Sequence, residues 1–203
     1  MGLIKMIPEN VVWQDGSVTR EARRRFFGQT PVTLWMTGLS GAGKSTLAFA
    51  AEARLLGLGR ACFVLDGDNV RHGLNRDLGF SHEERSENVR RVAEVARLMN
   101  EAGLIVITSF ISPYREDRDL AREIIGDAAF LEVHIATPLN VCEQRDVKGL
   151  YRRARTGEVK EFTGINSPYE PPLHPALTIN TAEYGVETSV DNILTLLEDK
   201  ILL

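Results

Sequence analysis

Cysteine is scarce in this chain: Cys62 and Cys142 are the only two among 203 residues. A disulfide-stapled secreted scaffold needs a framework of paired cysteines, and two such distant thiols support neither that framework nor a metal site. One falls in an expected strand and the other in an expected helix, so both are expected to be reduced and buried, in keeping with a cytoplasmic setting. Long hydrophobic runs are missing too. The most apolar stretch, Leu104 to Ile107, is far shorter than the roughly 20 residues of a membrane span. The N-terminus lacks a basic region followed by an apolar one, so it does not read as a secretory signal. Met1-Gly2 hints at myristoylation, but Met6 stands where that motif wants Ser or Thr. Neither charge sign is in large excess: a net −4 argues against nucleic acid as the main partner. Repeats and low-complexity linkers are absent. With 43% hydrophobic residues, the composition is that of an ordinary globular protein, read as one domain over 1–203 with 1–30 as a polar N-terminal extension. The Arg23-Arg24-Arg25 run there reads as a solvated helix face.

What the chain does carry is a complete phosphate-binding loop, Gly38-Leu39-Ser40-Gly41-Ala42-Gly43-Lys44-Ser45, followed by Thr46. The glycines allow backbone turns closed to other residues, so that successive N–H groups can face phosphate oxygens. Lys44 supplies a point charge for the β- and γ-phosphates, and the Ser45 hydroxyl is a ligand for the accompanying magnesium. The context agrees. Val32 to Met36 reads as a buried strand and Ser45 to Leu56 as a helix, which sets the phosphates at a positive helix N-terminus. The pattern implies a nucleoside triphosphate ligand.

Further strands are expected at Ala61–Leu65, Leu104–Phe110, Phe130–Ala136 and Leu177–Ile179. Between them, a long helix starts at a capping box, Ser81-His82-Glu83-Glu84, and stops near Gly103. Others run from Pro113 to about Ile125, from Leu139 to Asp146, and along Val186, Val190, Ile193, Leu197 and Ile201. Alternating strands and helices imply an α/β fold: a mostly parallel five-stranded sheet with helices on both faces and its ligand at the carboxyl ends of the strands. Residues 148–167 stand apart, with Arg152, Arg153, Arg155 and Lys160 among Gly149, Gly157 and Gly164. They read either as a mobile cationic lid over phosphates or as a solvated basic helix followed by a loop.

Asp66 and Asp68 lie just past the second strand, where the ligand crevice is expected. Acids there can hold magnesium or take a proton from an attacking hydroxyl; a solvated Asx turn is the other reading. Arg71, Arg76 and Arg85 follow, with Phe80 among them and Asn88 one turn into the helix. Arginines around an aromatic suit an acceptor carrying both negative charge and a flat ring. Taken singly, the same residues would be surface charges and a core phenylalanine.

Here the chain resembles the adenylylsulfate kinase (APS kinase) family. The likeness runs through Leu65-Asp66-Gly67-Asp68-Asn69-Val70-Arg71-His72-Gly73-Leu74-Asn75, Leu78-Gly79-Phe80-Ser81 and Phe110-Ile111-Ser112-Pro113-Tyr114-Arg115. It continues in Lys148-Gly149-Leu150-Tyr151 and Phe162-Thr163-Gly164-Ile165, and includes Asn10-Val11-Val12-Trp13 upstream of the loop. The resemblance implies a P-loop kinase fold and a cytoplasmic enzyme of sulfate assimilation. Such an enzyme moves the γ-phosphoryl group of ATP to the ribose 3′-hydroxyl of adenosine 5′-phosphosulfate (APS), with Mg2+ as cofactor. It further implies that Gly38, Ser40, Gly41, Ala42, Gly43, Lys44, Ser45, Thr46 and Arg145 hold ATP, and that Ser45 and Asp66 hold the metal. Lys44, Asp66, Asp68 and Ser112 would be catalytic, Ser112 being described in the family as a phosphoserine intermediate. Arg71, Arg85, Asn88, Ile111, Ser112 and Lys160 would bind APS, with Phe80 and Phe162 sandwiching its adenine. Val147 stands where the family usually has proline, and Ser167 where an acid commonly precedes Pro168-Tyr169. The chain carries no sulfurylase region, so the resemblance implies a stand-alone homodimeric kinase with neither nucleic acid nor membrane as partner. Other readings are a P-loop kinase for another small acceptor, which has no need of the Phe80 and Phe162 pair, and a nucleotide-dependent switch. A guanine switch would want an Asn/Thr-Lys-x-Asp motif, and none is present.

Overall fold

The computed structural model describes residues 10–12 and 14–201. Trp13 and the Met1-Gly2 and Met6 positions lie outside the described residues. Five strands form the sheet: β1 (Thr33–Thr37), β2 (Cys62–Asp66), β3 (Ile105–Ser109), β4 (Phe130–Ile135) and β5 (Leu177–Ile179). The order is β2-β3-β1-β4-β5 and every pairing is parallel. Seven helices connect and cover them: α1 (Arg20–Phe27), α2 (Lys44–Gly57), α3 (His82–Glu101), α4 (Arg115–Ile125), α5 (Leu139–Arg145), α6 (Leu150–Arg155) and α7 (Val186–Ile201). The turn after β2 contains a short 3-10 helix, Asn69–His72, which the periodicity does not reveal.

Alternation along β1 divides the core in two. Leu34 and Met36 pack with Leu47, Ala51 and Leu55 of α2 and with Val190, Ile193 and Leu197 of α7. Trp35 points the other way, into a layer with Val89, Val92 and Ala96 of α3 and Ala121 and Ile125 of α4. There its indole stacks on Phe110 at 6.0 Å and Phe130 at 5.7 Å. Period-two burial on a sheet sandwiched by helices produces this division. The capping box at the start of α3 is present: Ser81 Oγ accepts from the Glu84 N–H, and Glu84 accepts from the Ser81 N–H. Helix α1 buries none of its residues.

Cys142 is buried, but Cys62 is only half-buried, because β2 is an edge strand and Phe63 beside it is exposed.

The chain leaves β1 to build β2 and β3 on one side of it, then crosses to β4 and β5 on the other. A crevice opens at the carboxyl ends where that direction reverses. The phosphate loop follows β1 and so sits in the crevice.

Candidate active site

The loop is shaped by what surrounds it. Gly38 has φ +154°, and a Cβ there would lie 2.5 Å from the Ile135 carbonyl oxygen, so only glycine lets β1 leave the sheet this close to β4. Gly43 caps α2 at φ 101°. The underside of the loop is pinned by hydroxyls: Thr137 and Thr181 donate to the Ala42 carbonyl at 3.0 and 2.8 Å. Arg145 donates to Thr181 Oγ1 at 2.7 Å and to the Thr181 carbonyl at 2.9 Å. Hydrogen bonds thereby join the loop, α5 and the turn after β5.

Lys44 is buried, and its ammonium donates to the Gly38 and Leu39 carbonyls, both at 2.8 Å. Burial lowers its pKa to about 8, which marks a cation held short of solvation and receptive to anionic oxygen. Ser45 Oγ donates to Asp66 Oδ2 at 2.7 Å and lies 3.1 Å from Ser109 Oγ. Asp66 Oδ1 accepts from the Asp68 and Asn69 N–H groups at 3.0 and 3.4 Å. Asp68 itself is exposed and pairs with Lys148. The donor set around Ser45 and Asp66 is oxygen only with a single carboxylate, which fits magnesium, a hard cation that keeps waters and substrate phosphates as its remaining ligands.

A cavity of about 580 Å³ extends from this loop to both sides of β1. On the β4–β5 side it is lined by Arg145, Thr181, Tyr184, Gly185 and Val186. On the β2–β3 side it is lined by Arg71, Phe80, Arg85, Asn88, Ile111 and Ser112. Phe80 is 59% exposed, so part of its ring is open, and the guanidiniums of Arg71 and Arg85 lie over it at 4.4 and 5.5 Å from the centroid. Both arginines donate to carbonyls: Arg71 to Leu78 and Gly79 at 2.8 and 2.9 Å, Arg85 to Phe80 and Glu161, both at 2.8 Å. Burial first, then the Arg85 charge, pulls the Arg71 pKa below its usual value. Two cations beside an open aromatic face make a seat for an anion attached to a ring.

Most of the residues singled out by sequence line this cavity: Ser40, Gly41, Gly43, Lys44, Ser45, Thr46, Asp66, Asp68 and Arg145, besides the acceptor-side set. Gly38 and Ala42 do not; they shape the loop through their carbonyls. Lys160 is exposed and away from the cavity lining. Phe162 is not brought to Phe80. It is 7% exposed and packs edge-on against Tyr151 at 4.8 Å, because its apolar ring joins the α2–α7 core there. Its neighbour Glu161 reaches the acceptor side through its carbonyl instead. Ser112 is 4% exposed at φ 37°, and its Oγ accepts from the Trp35 indole N–H at 3.2 Å.

Thr181, Tyr184 and Val186 also line the cavity but belong to no site motif. Their signal in the sequence is position: they follow β5 directly, at the carboxyl end of an expected strand.

The Adenylylsulphate kinase family model matches residues 30–180. The chain is 55% identical to the adenylyl-sulfate kinase of Shewanella amazonensis over 89% of its own length and 91% of that protein's. It is 52% identical to that of Staphylococcus haemolyticus over 94% and 96% of the two lengths. The solved structure of the Mycobacterium tuberculosis APS kinase in complex with AMPPNP and APS superposes with a TM-score of 0.81 at 48% identity, covering 83% of this chain and 98% of that one.

Proposed function

The chain belongs to the adenylylsulfate kinase family, and from that premise we propose how its residues divide the work. The reaction is transfer of the γ-phosphoryl group of ATP to the ribose 3′-hydroxyl of APS, giving 3′-phosphoadenosine 5′-phosphosulfate and ADP. ATP lies along the phosphate loop with its base on the β4–β5 side, between Arg145 and the turn at Thr181–Val186. Loop N–H groups and Lys44 hold the phosphates. APS lies on the β2–β3 side, its adenine on Phe80 and its phosphosulfate between Arg71 and Arg85, with Asn88 and the Ile111 backbone at the ribose. The observation that carries this reading is the single cavity shared by the phosphate loop and the open Phe80 face flanked by two arginines.

Ser45 and Asp66 would hold magnesium, which offsets charge on the transferring phosphoryl group when it is bound with ATP. Asp66 suits that role because both its oxygens are held in place by hydrogen bonds, one from Ser45 Oγ and one from the Asp68 N–H. Asp68, whose exposed carboxylate pairs with Lys148, would take the hydroxyl proton. The 3′-oxygen bonds to the γ-phosphorus as the bond to the β–γ bridging oxygen breaks, ADP leaves, and the proton passes to Asp68. Residues 148–167 act as the lid; Lys148 reaching Asp68 and Glu161 meeting Arg85 support this. A homodimer and a cytoplasmic setting complete the reading, the latter supported by two free thiols.

A coupled assay with APS, 5′-AMP and other small hydroxyl acceptors tests the reading. Phosphorylation of APS in strong preference to 5′-AMP is expected; equal use of both would remove the anion-seat assignment of Arg71 and Arg85.

A further inference from the structure

Arg118 on α4 is 2% exposed, and it does not line the cavity. Its three donor groups are all used. Nε donates to Glu132 Oε1, Nη1 to the Ser112 carbonyl and Nη2 to the Glu170 carbonyl, each at 2.7 Å. A buried ion pair is a poor stabilising device, since apolar residues of similar volume serve as well or better. Its directionality is another matter. A guanidinium is a rigid donor fork that fixes the positions of the oxygens it meets.

Both carbonyls belong to segments at the edge of the site. Ser112 forms part of the cavity wall, and its φ of 37° lies in the left-handed range that favours glycine. Such a backbone persists only where its surroundings over-determine it. They do so here: Trp35 donates to Ser112 Oγ, Thr37 donates to the Ile111 carbonyl at 2.7 Å, and Arg118 holds the Ser112 carbonyl. Glu170 belongs to the stretch returning from residues 148–167. Its N–H donates to the Pro113 carbonyl and its carboxylate accepts from the Arg115 N–H, both at 2.8 Å. Tyr169 OH sits 3.0 Å from Thr37 Oγ1. Glu132 anchors the fork from β4, with Arg122 3.6 Å from its other oxygen.

We propose that Arg118, oriented by Glu132, is a positioning residue for the acceptor. It fixes the Ile111–Ser112 wall and joins that wall to the return of the lid segment. The inference rests on the β2–β3 side being the APS side, as argued above. Arg118 acts through Ser112 and touches neither substrate.

Steady-state kinetics separate this role from a structural one. The double variant Arg118→Met/Glu132→Leu removes both buried charges together, and Arg122 keeps Asp127 as its partner at 3.1 Å, so no buried charge is left unpaired to unfold the protein. Expected is a KM for APS raised tenfold or more, a KM for ATP within twofold of wild type, and a melting temperature close to wild type. An unchanged KM for APS, or parallel rises for both substrates, overturns the proposal. Should the double variant not fold, Arg118→Lys decides, because it keeps the charge opposite Glu132 while one ammonium cannot serve three divergent acceptors. The same APS-selective rise is then expected, and an unchanged KM for APS overturns the proposal. Wild-type protein with no preference for APS over 5′-AMP would instead remove the assignment of the acceptor side, an outcome read without either variant.

Discussion

Ser45 Oγ donates to Asp66 Oδ2 across 2.7 Å, so the first turn of α2 and the last residue of β2 meet at one oxygen cluster. The pairing depends on the sheet order. β1 and β2 are separated by β3, and Ser109 at the end of β3 fills the gap, 3.1 Å from Ser45 Oγ. A hydroxyl and a carboxylate held together before ligands arrive need little reorganisation to share a hard cation.

Asp66→Asn should therefore slow the chemical step by about 10²–10³-fold, the scale of removing one preorganised electrostatic contact. Raised magnesium should recover part of that loss, because the defect is in metal placement. Asp68→Asn should also be slow, by the roughly 10²–10⁴-fold typical of a lost general base, and magnesium should not rescue it. Single-turnover rates across a magnesium series make the comparison. Wild-type rates in both variants would reduce the acid pair to a turn.

Lys44 links nucleotide binding to protons. Burial lowers its pKa from 10.5 to about 8, and phosphate oxygens favour the charged form. ATP binding above pH 8 must then draw a proton into the site, and ATP affinity should fall as pH rises through that value. Stability of the free protein runs the other way. The unfolded state binds this proton more tightly, so the contribution of Lys44 to stability grows between about pH 8 and pH 10.5. Calorimetry at pH 8.5 in two buffers of different ionisation enthalpy reads the uptake directly; identical heats in both would exclude it. Lys44→Ala should retain the fold and lose turnover.

The division between what sequence disclosed and what it hid follows physical lines. The capping box at Ser81, the strand–loop–helix at Gly38–Ser45 and the five strands are local signals, encoded by neighbours in the chain. Local signals leave Phe80 and Phe162 equivalent. Only long-range packing distinguishes an exposed ring beside Arg71 from one buried on Tyr151. The backbone of Ser112 was hidden for the same reason. Its φ of 37° is set by Trp35, Thr37 and Arg118, none adjacent to it in sequence.

That difference between the two phenylalanines is measurable. Phe80→Ala should weaken APS binding by about tenfold or more, since base stacking on an aromatic is typically worth about 1–3 kcal/mol, and should leave ATP binding and the melting temperature near wild type. Phe162→Ala should instead lose stability, by about 3–5 kcal/mol for a buried phenylalanine. Titrations and denaturant melts on the two variants separate the roles; an exposed-residue signature at Phe162 would restore it to the acceptor sandwich.

At Ser112, a phosphoserine intermediate and direct transfer give opposite stereochemistry. Two successive transfers require a serine hydroxyl that is activated and able to reach both the γ-phosphate and the 3′-hydroxyl. Ser112 Oγ is instead engaged by the Trp35 indole, a donor that lowers the electron density a nucleophile needs. Its side chain is buried at the base of the cavity wall, and its carbonyl is fixed by Arg118. Among the described residues no acid or histidine hydrogen-bonds to its Oγ, which meets the Trp35 indole. Direct in-line transfer needs only the loop, the metal and a positioned hydroxyl. Ser112→Ala should therefore keep measurable activity, and a chiral γ-phosphoryl group should arrive in the product with inverted configuration. Trp35→Phe, which frees the serine hydroxyl, should not raise the rate. Retention of configuration, together with a kinetically competent phosphoserine at Ser112, would establish the two-step route, in which the Trp35 contact must break before the first transfer.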